Sequence, residues 1–272
     1  MPPQELKASI LQLAIQGKLV EQRPEEGTGG ELLERILVER GNGEWGTGNG
    51  KKLARRREAG AEASKTSASL ASPASPVRPG CPVSPVPPTD APFDIPESWV
   101  WVRLGEVTDM LAGFAFKSAD FKAKGKYRLL RGINLAVGDV RWKDKDTVYV
   151  DTITDRMSEY RLKKGDVLIG LDRPWITDGT RVAVFEDDKE TYLVQRVLRL
   201  RETGCLIGAY VALLLHSALL RDSIGDKTTG ISVPHISPGQ VGNLIIPLPP
   251  LAEQKRIVAK LEELLPLCER LK

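Results

Sequence analysis

Basic and amide side chains between residues 117 and 196 are of the types that bind nucleic acid. Lysines neutralise phosphates, whereas the forked or amide side chains of arginine, asparagine and glutamine hydrogen-bond base edges in the major groove. The net charge of +3 is a weak argument by itself, so the case depends on local clustering. Nine basic residues lie between Lys117 and Asp146, against four aspartates. This pattern predicts a nucleic-acid surface, with a merely solvated strand-and-loop surface as the alternative.

The candidate contacts divide into two groups. The candidates for binding phosphates are Lys117, Lys122, Lys124 and Lys126. The candidates for reading bases, or for bracing the loops that read them, are Arg131, Asn134, Arg173, Trp175, Gln195 and Arg196. Arg131 and the Gln195-Arg196 pair fit equally well a role in pinning strands together.

A hydrolase is the alternative chemistry. Ser232 and His235, with Asp226 nearby, supply the hydroxyl, imidazole and carboxylate of a nucleophilic triad. The sequence has no G-x-S-x-G elbow, and His216 lies in an apolar helical stretch typical of a structural histidine. Neither histidine has a metal-ligand neighbour four residues on, and the glycines of 46–52 lack the spacing of a phosphate loop. We therefore expect no catalytic residue, no metal and no cofactor.

Short strands must position these side chains. The sequence pattern of residues 93–248, in which β-rich runs alternate with turns, predicts a mixed α/β domain. Strands are predicted at residues 99–104, 147–150, 166–169, 182–185 and 193–200. One helix is predicted over residues 207–223, where apolar side chains share a face.

Helices are predicted at both ends of this domain. Pro247, Pro249 and Pro250 delay the C-terminal helix to about Leu251, and Pro266 should kink it. Apolar residues with spacings of four and three form a coiled-coil type of seam in each terminal helix. The seam residues are Leu6, Ile10, Leu13, Gly17 and Val20 at the N-terminus, and Ile257, Leu261, Leu264, Cys268 and Leu271 at the C-terminus. Each seam predicts a partner helix, which the opposite end of the chain could supply.

Four regions follow from this pattern. Residues 1–40 form an N-terminal helical region, with a first helix over 6–20 and a second over 31–40. Residues 41–92 are rich in Gly, Ala, Ser and Pro and are predicted to be a disordered linker. Residues 93–248 are the mixed domain, and residues 249–272 are a spacer or dimerisation helix.

Several segments together resemble the specificity subunit of type I restriction-modification systems. The segment from Pro247 to Val258 resembles the end of a target recognition domain, and the segment from Leu6 to Val20 resembles the family's N-terminal helix. The internal segments 96–105, 113–121, 130–135, 165–169 and 229–236 occur in the family's order. With room for only one recognition domain, the chain resembles half of a specificity subunit.

The resemblance implies a DNA-binding subunit without catalysis of its own. It adds Lys227, Thr228 and Thr229, in a loop that the family places near DNA, to the candidate contacts. The implied partners are double-stranded DNA, methyltransferase subunits, and, as a further candidate, a restriction or translocase subunit. One half-site per chain implies a homodimer around spacer helices of roughly 33 Å, at about 1.5 Å per residue. Pairing with a different specificity fragment, and a degenerate product without a partner, are the alternatives.

The expected compartment is the cytoplasm. The sequence has no apolar run of membrane-spanning length, and its first five residues lack the basic start of a secretory signal. Cys81, Cys205 and Cys268 are odd in number and far apart, which argues against a disulfide framework.

Overall fold

Four small sheets and a set of helices make up a mixed α/β domain with helical ends. The computed structural model describes residues 2–41, 85–176, 179–224 and 235–270. Its helices are α1 (Pro3–Ile15), α2 (Gly29–Gly41), α3 (Leu104–Val107), α4 (Asp155–Ser158), α5 (Gly208–His216), α6 (Ala218–Ile224), α7 (Pro238–Gly242) and α8 (Leu251–Glu269). Its strands are β1 (Val100–Arg103), β2 (Asp109–Ala112), β3 (Tyr127–Leu130), β4 (Val148–Val150), β5 (Val167–Gly170), β6 (Trp175–Ile176), β7 (Gly179–Thr180), β8 (Val182–Val184), β9 (Thr191–Leu193), β10 (Val197–Arg201) and β11 (Ile245–Leu248).

The first and last strands close the domain. β1 and β11 pair in antiparallel fashion, with Trp101 opposite Pro247. The largest sheet is antiparallel throughout and has the order β2-β10-β5-β8. A second sheet of order β4-β3-β9 is mixed, because β3 pairs with β9 in parallel and with β4 in antiparallel fashion. The predicted mixed α/β fold is confirmed.

The segment predicted as one strand over residues 193–200 is two strands, β9 and β10, in different sheets. Arg196 between them has φ of +73°, a left-handed conformation that a continuous strand excludes. Gly113 makes the break possible, because a Cβ there would lie 2.1 Å from the Val194 carbonyl oxygen. The main chain closes over this glycine, with Gln195 N donating to Phe114 O at 2.9 Å. The prediction missed the break because both halves are β-rich.

The single helix predicted over residues 207–223 is also divided. Ser217 has extended backbone angles between α5 and α6. Its hydroxyl donates to Leu214 O at 2.6 Å and accepts from Leu219 N at 3.3 Å, so one side chain caps both helices. An apolar run of this kind does not reveal such a break by its periodicity.

The N-terminal helices differ from the predicted bounds for local reasons. α1 ends at Ile15 rather than at residue 20, because Gly17 adopts φ of +69° and Lys18 N donates back to Leu13 O. α2 begins two residues early, because Thr28 and Glu31 form a reciprocal capping box.

The two ends of the chain meet in space. α1 packs against α8, and Leu11, Ala14 and Ile15 are buried in the main core with Ile257 and Leu261. Among the other predicted seam positions, Leu6, Ile10, Val20 and Leu264 are half-buried, Gly17 and Cys268 are buried, and Leu13 is 41% exposed. Leu271 lies outside the described residues. The buried face of α1 is therefore offset by about one position from the predicted seam.

α8 starts at Leu251, where the prolines place it, and continues through Pro266. Fully buried Gln254 fixes its first turn, accepting from Ile207 N at 3.1 Å and donating to Cys205 O at 2.8 Å. Within the range predicted as linker, Val86 is buried and donates its backbone N–H to Trp101 O at 2.8 Å. The domain therefore packs residues upstream of position 93. None of the helices in the described ranges is long and apolar enough to cross a membrane.

Candidate nucleic-acid interface

A basic groove of about 800 Å³ opens where several loops of the two larger sheets meet. Six basic side chains and two carboxylates line it, together with a glutamine and several apolar groups. The charged and amide residues are Arg131, Arg141, Lys143, Arg173, Arg181, Arg196, Gln195, Asp146 and Asp172, and the apolar ones include Phe116, Phe121, Ile133 and Ile176. A concave surface with this charge excess suits a polyanion.

The loop that follows β3 forms one wall of the groove. A 3-10 turn over Gly132–Asn134 closes when buried Asn134 accepts from Arg131 N at 3.1 Å and donates to Arg141 O at 3.3 Å. Asn134 is fully buried, so it braces the loop rather than reaching a base. The Arg131 guanidinium donates to the Asp146 carbonyl, while its Nε is buried and has no partner among the described residues. The loop is therefore rigid, with one donor left unpaired.

The break between β9 and β10 presents two side chains at the groove. Gln195 and Arg196 are exposed, on a turn whose backbone is fixed beneath them by Gly113 and Phe114. Arg196 Nη1 lies 3.3 Å from Asp172 Oδ1. An amide and a guanidinium on a rigid turn are suited to base-edge hydrogen bonds.

The segment after β5 forms the opposite wall. Arg173 is exposed with φ of +46°, and Ile176 is 41% exposed. Trp175 is half-buried against the main core, which favours a supporting role for it. Arg181 donates to Leu135 O at 3.0 Å and to Asp172 O at 3.1 Å, thereby joining both walls. Burial lowers the pKa of the Arg181 guanidinium, against the opposing attraction of Asp172.

The predicted lysines lie outside the groove lining. Lys117, Lys122, Lys124 and Lys126 are all exposed on the neighbouring loop. Lys122 forms an ion pair with Asp151, and this hydrogen bond raises the pKa of the lysine and lowers that of the aspartate. Lys126 Nζ lies 4.9 Å from the centre of the Tyr127 ring. Lys227, Thr228 and Thr229 lie outside the described residues.

Of the predicted base-reading candidates, Arg131, Arg173, Gln195 and Arg196 line this groove, and the sequence analysis did not name its other lining residues as candidates. Arg141 and Lys143 belong to the basic run before Asp146, which was the available signal. Arg181, Ile133 and Ile176 have no signal of their own in the sequence. They reach the groove only because the chain folds them there.

The residues proposed for hydrolysis are differently placed. His235 Nδ1 lies 2.7 Å from Asp172 Oδ1, so the histidine pairs with a groove carboxylate. Ser232 and Asp226 lie outside the described residues. Burial, with a smaller contribution from Lys7, lowers the pKa of His216 to about 4. Within the described ranges, no group of three or more His, Cys, Asp or Glu side chains could hold a metal ion.

Within the described residues, a mixed α/β domain carries a basic groove and packs against helices from both ends of the chain, which is an architecture suited to a polyanion-binding protein. A family model described as the type I restriction modification DNA specificity domain matches residues 96–271. The chain belongs to this family, as the resemblance predicts.

The similar proteins are specificity subunits by name. The type I restriction enzyme EcoAI specificity subunit of Escherichia coli is 35% identical over 98% of this chain and 40% of its own length. The MjaVIII specificity subunit of Methanocaldococcus jannaschii is 29% identical over 63% of this chain and 40% of its own length. The chain thus spans about 40% of the length of these relatives.

A solved structure has the same fold. It comes from a study of complex assembly and conformational transition of the type I R-M system, and it superposes with a TM-score of 0.51 at 23% identity. The superposition covers 67% of this chain and 42% of that one.

Proposed function

We propose that this chain is the DNA-reading part of a type I restriction-modification complex and that its single recognition domain reads one half-site. The observation that carries the proposal is the groove, which gathers six basic side chains and the Gln195 amide on braced loops. Phosphate binding needs the positive charge, and base reading needs side chains held at fixed positions.

The groove residues divide by exposure. Gln195, Arg196 and Arg173 are exposed and are the proposed base readers. Arg131 lies in the braced loop, where its guanidinium donates to the Asp146 carbonyl, and it either reads a base or fixes the loop. Lys117, Lys122, Lys124 and Lys126 contact phosphates beside the groove, with Lys122 weakened by its ion pair to Asp151. Lys227, Thr228 and Thr229 are proposed to contact a phosphate.

The helical ends are proposed to set the distance between two half-sites. α1 and α8 pack together within one chain, and α8 is about 28 Å long at 1.5 Å per residue. Two copies related by two-fold symmetry would place two domains at opposite ends of these helices, with methyltransferase subunits docked on them. The predicted regions 1–40, 41–92, 93–248 and 249–272 would then be the helical part, linker, reader and spacer.

Catalysis is assigned to partner subunits. In this proposal the chain binds no cofactor, acts in the cytoplasm and recruits methyltransferase subunits to DNA. A restriction or translocase subunit would join the same complex.

Mapping methylated bases across the genome tests the proposal. A host expressing the chain with a methyltransferase subunit encoded beside it should gain a bipartite palindromic motif that is absent when the chain is omitted. An asymmetric motif would instead indicate pairing with a different specificity fragment. If no new motif appears although the two proteins form a complex, the proposal is wrong.

A matched pair of variants assigns the motif to the groove. Arg196→Ala should abolish the motif or relax one of its positions, because it removes an exposed donor from the reading turn. Arg156→Ala removes an exposed arginine from α4, outside the groove lining, and should leave the motif unchanged.

A further inference from the structure

Two large apolar side chains are exposed inside the basic groove. Five large hydrophobic residues are exposed among the described residues: Leu13, Val38, Ile133, Ile176 and Leu267. Three of them belong to α1, α2 and α8, but Ile133 and Ile176 line the groove at 60% and 41% exposure. Covering an exposed apolar side chain with an apolar group of a ligand is favourable, because apolar surface is removed from water. Two such side chains among arginines therefore indicate a ligand that carries both negative charge and an apolar group.

Ile133 is held in its exposed position by its neighbours. It lies in the 3-10 turn over Gly132–Asn134, which buried Asn134 bonds at both ends. The side chain is therefore 60% exposed on a rigid loop, while the Asn134 amide that braces this loop is fully buried. Ile176 lies on β6, on the opposite wall, where Trp175 packs into the core.

The positive charge of the groove indicates that the ligand with the apolar group is a polyanion. Arg131 and Arg173 are the basic neighbours of Ile133 and Ile176 along the chain, and basic side chains outnumber carboxylates in the lining. Duplex DNA meets this charge, and the apolar group that it displays on base edges in the major groove is the 5-methyl group of thymine.

We propose that Ile133 and Ile176 read thymine through its 5-methyl group, so that the half-site contains at least one thymine, on one strand or the other. The inference rests on the proposed function and deepens it by naming a base. It also assigns two specificity residues that carry no charge and no hydrogen-bonding group.

Deoxyuridine tests this contact, because it lacks only the 5-methyl group and keeps the hydrogen-bonding pattern of thymidine. The complex of the full chain with its methyltransferase subunit is titrated with a duplex carrying the mapped motif. Each thymine is then replaced by uracil in turn. At one half-site position or more, replacement should weaken binding about fourfold, the effect of one buried methyl group. Replacement in the unread spacer should leave affinity unchanged.

Variants connect the effect to the two isoleucines. Ile133→Ala or Ile176→Ala should bind the thymine and uracil duplexes with equal affinity at the position concerned. Ile133 is 60% exposed and Ile176 is 41% exposed, and neither belongs to a core cluster, so these truncations should leave the fold intact, which circular dichroism checks. Val38→Ala is the matched control, because Val38 is 62% exposed on α2, and this variant should retain the full discrimination.

The outcomes separate this inference from the proposed function. If the complex binds its motif but no half-site uracil weakens binding, or if both alanine variants still discriminate, the inference is wrong. A half-site without thymine on either strand also overturns it. If the complex binds no motif at all, the proposed function fails first.

Discussion

Trp99 Nε1 donates a 2.8 Å hydrogen bond to Glu253 Oε2, joining the start of the recognition domain to the first turn of α8. Gln22, from the segment after α1, donates to the other carboxylate oxygen of Glu253 and accepts from Ser98. Arg256 extends the contact by binding both carboxylate oxygens of Glu26. This polar joint, formed by these hydrogen bonds, fixes α8 to both the N-terminal segment and the α/β domain.

Glu253→Ala should destabilise the chain by about 3 kcal/mol, because it leaves the buried Trp99 N–H without its acceptor and removes one of the two acceptors of the Gln22 amide, which also donates to Gly17 O. Glu253→Gln retains one acceptor and should cost less. Burial raises the pKa of the Glu253 carboxyl, although both hydrogen bonds oppose the shift. Urea unfolding measures the effect.

The control is Glu263→Ala, on the exposed side of the same helix. Among the described residues Glu263 pairs with Lys260 in an exposed ion pair, so its loss should change the free energy of unfolding by less than about 0.5 kcal/mol. Equal losses in the free energy of unfolding for Glu253→Ala and Glu263→Ala would show that the hydrogen bonds of Glu253 do not stabilise the fold.

Gly113→Ala should weaken DNA binding although residue 113 is not proposed to contact DNA. The added Cβ would lie 2.1 Å from the Val194 carbonyl oxygen, so the turn carrying Gln195 and Arg196 must shift. We expect a loss of affinity of about tenfold, measured by fluorescence anisotropy on the mapped motif. Gly239→Ala, where the nearest atom is 3.9 Å away, should bind normally.

Arg196 and Lys124 should differ in what they contribute. Arg196→Ala should cost about 1–3 kcal/mol on the motif and little on scrambled DNA, because a base contact is lost. Lys124→Ala should weaken both duplexes alike and lower the salt dependence by about one counterion. Titrations at several salt concentrations distinguish the two, and identical behaviour would contradict the assignment.

His216 should make the fold sensitive to acid. Its pKa is lowered from 6.5 to about 4 in the folded chain, so below pH 6.5 the unfolded chain binds the proton first. The stability that the neutral imidazole supplies is present above pH 6.5 and is lost as the pH falls towards 4. The loss should reach about 3 kcal/mol.

Urea titrations of wild type and His216→Asn between pH 7 and pH 4 check this. Asparagine does not titrate, so the variant should lose less stability over that range than wild type. If the free energy of unfolding fell equally with pH for the two proteins, His216 would not contribute to the acid sensitivity of the fold.

Leu13→Glu should dissociate the proposed homodimer while preserving the fold of each chain. Leu13 is 41% exposed on α1, although its neighbours Ala14 and Ile15 are buried. A charge at this position should disrupt an apolar contact with a second chain. Sedimentation velocity measures whether the protein is a monomer or a dimer. Ala8→Glu, also exposed on α1, is the control and should remain dimeric. A dimer unaffected by Leu13→Glu would require a different interface.

The features predicted correctly from the sequence are those that depend on the chemistry of neighbouring residues. The prolines before α8 predict its first residue, because proline restricts both itself and the preceding residue. The ordered motifs predict the family, which the match over residues 96–271 confirms. The breaks at Arg196 and Ser217 were missed, because they depend on a glycine approaching from another strand and on a hydroxyl bonding two helices.

The family, the mixed α/β class and the residue types that could contact DNA follow from motif order and side-chain chemistry, because both can be read directly along the chain. Which of those side chains share a groove depends on how the chain folds. The fold brings Arg181, Ile133 and Ile176 into the same groove as Arg196, and it buries Asn134 as a brace. Convergence of this kind depends on contacts between residues far apart in sequence, which no local pattern encodes.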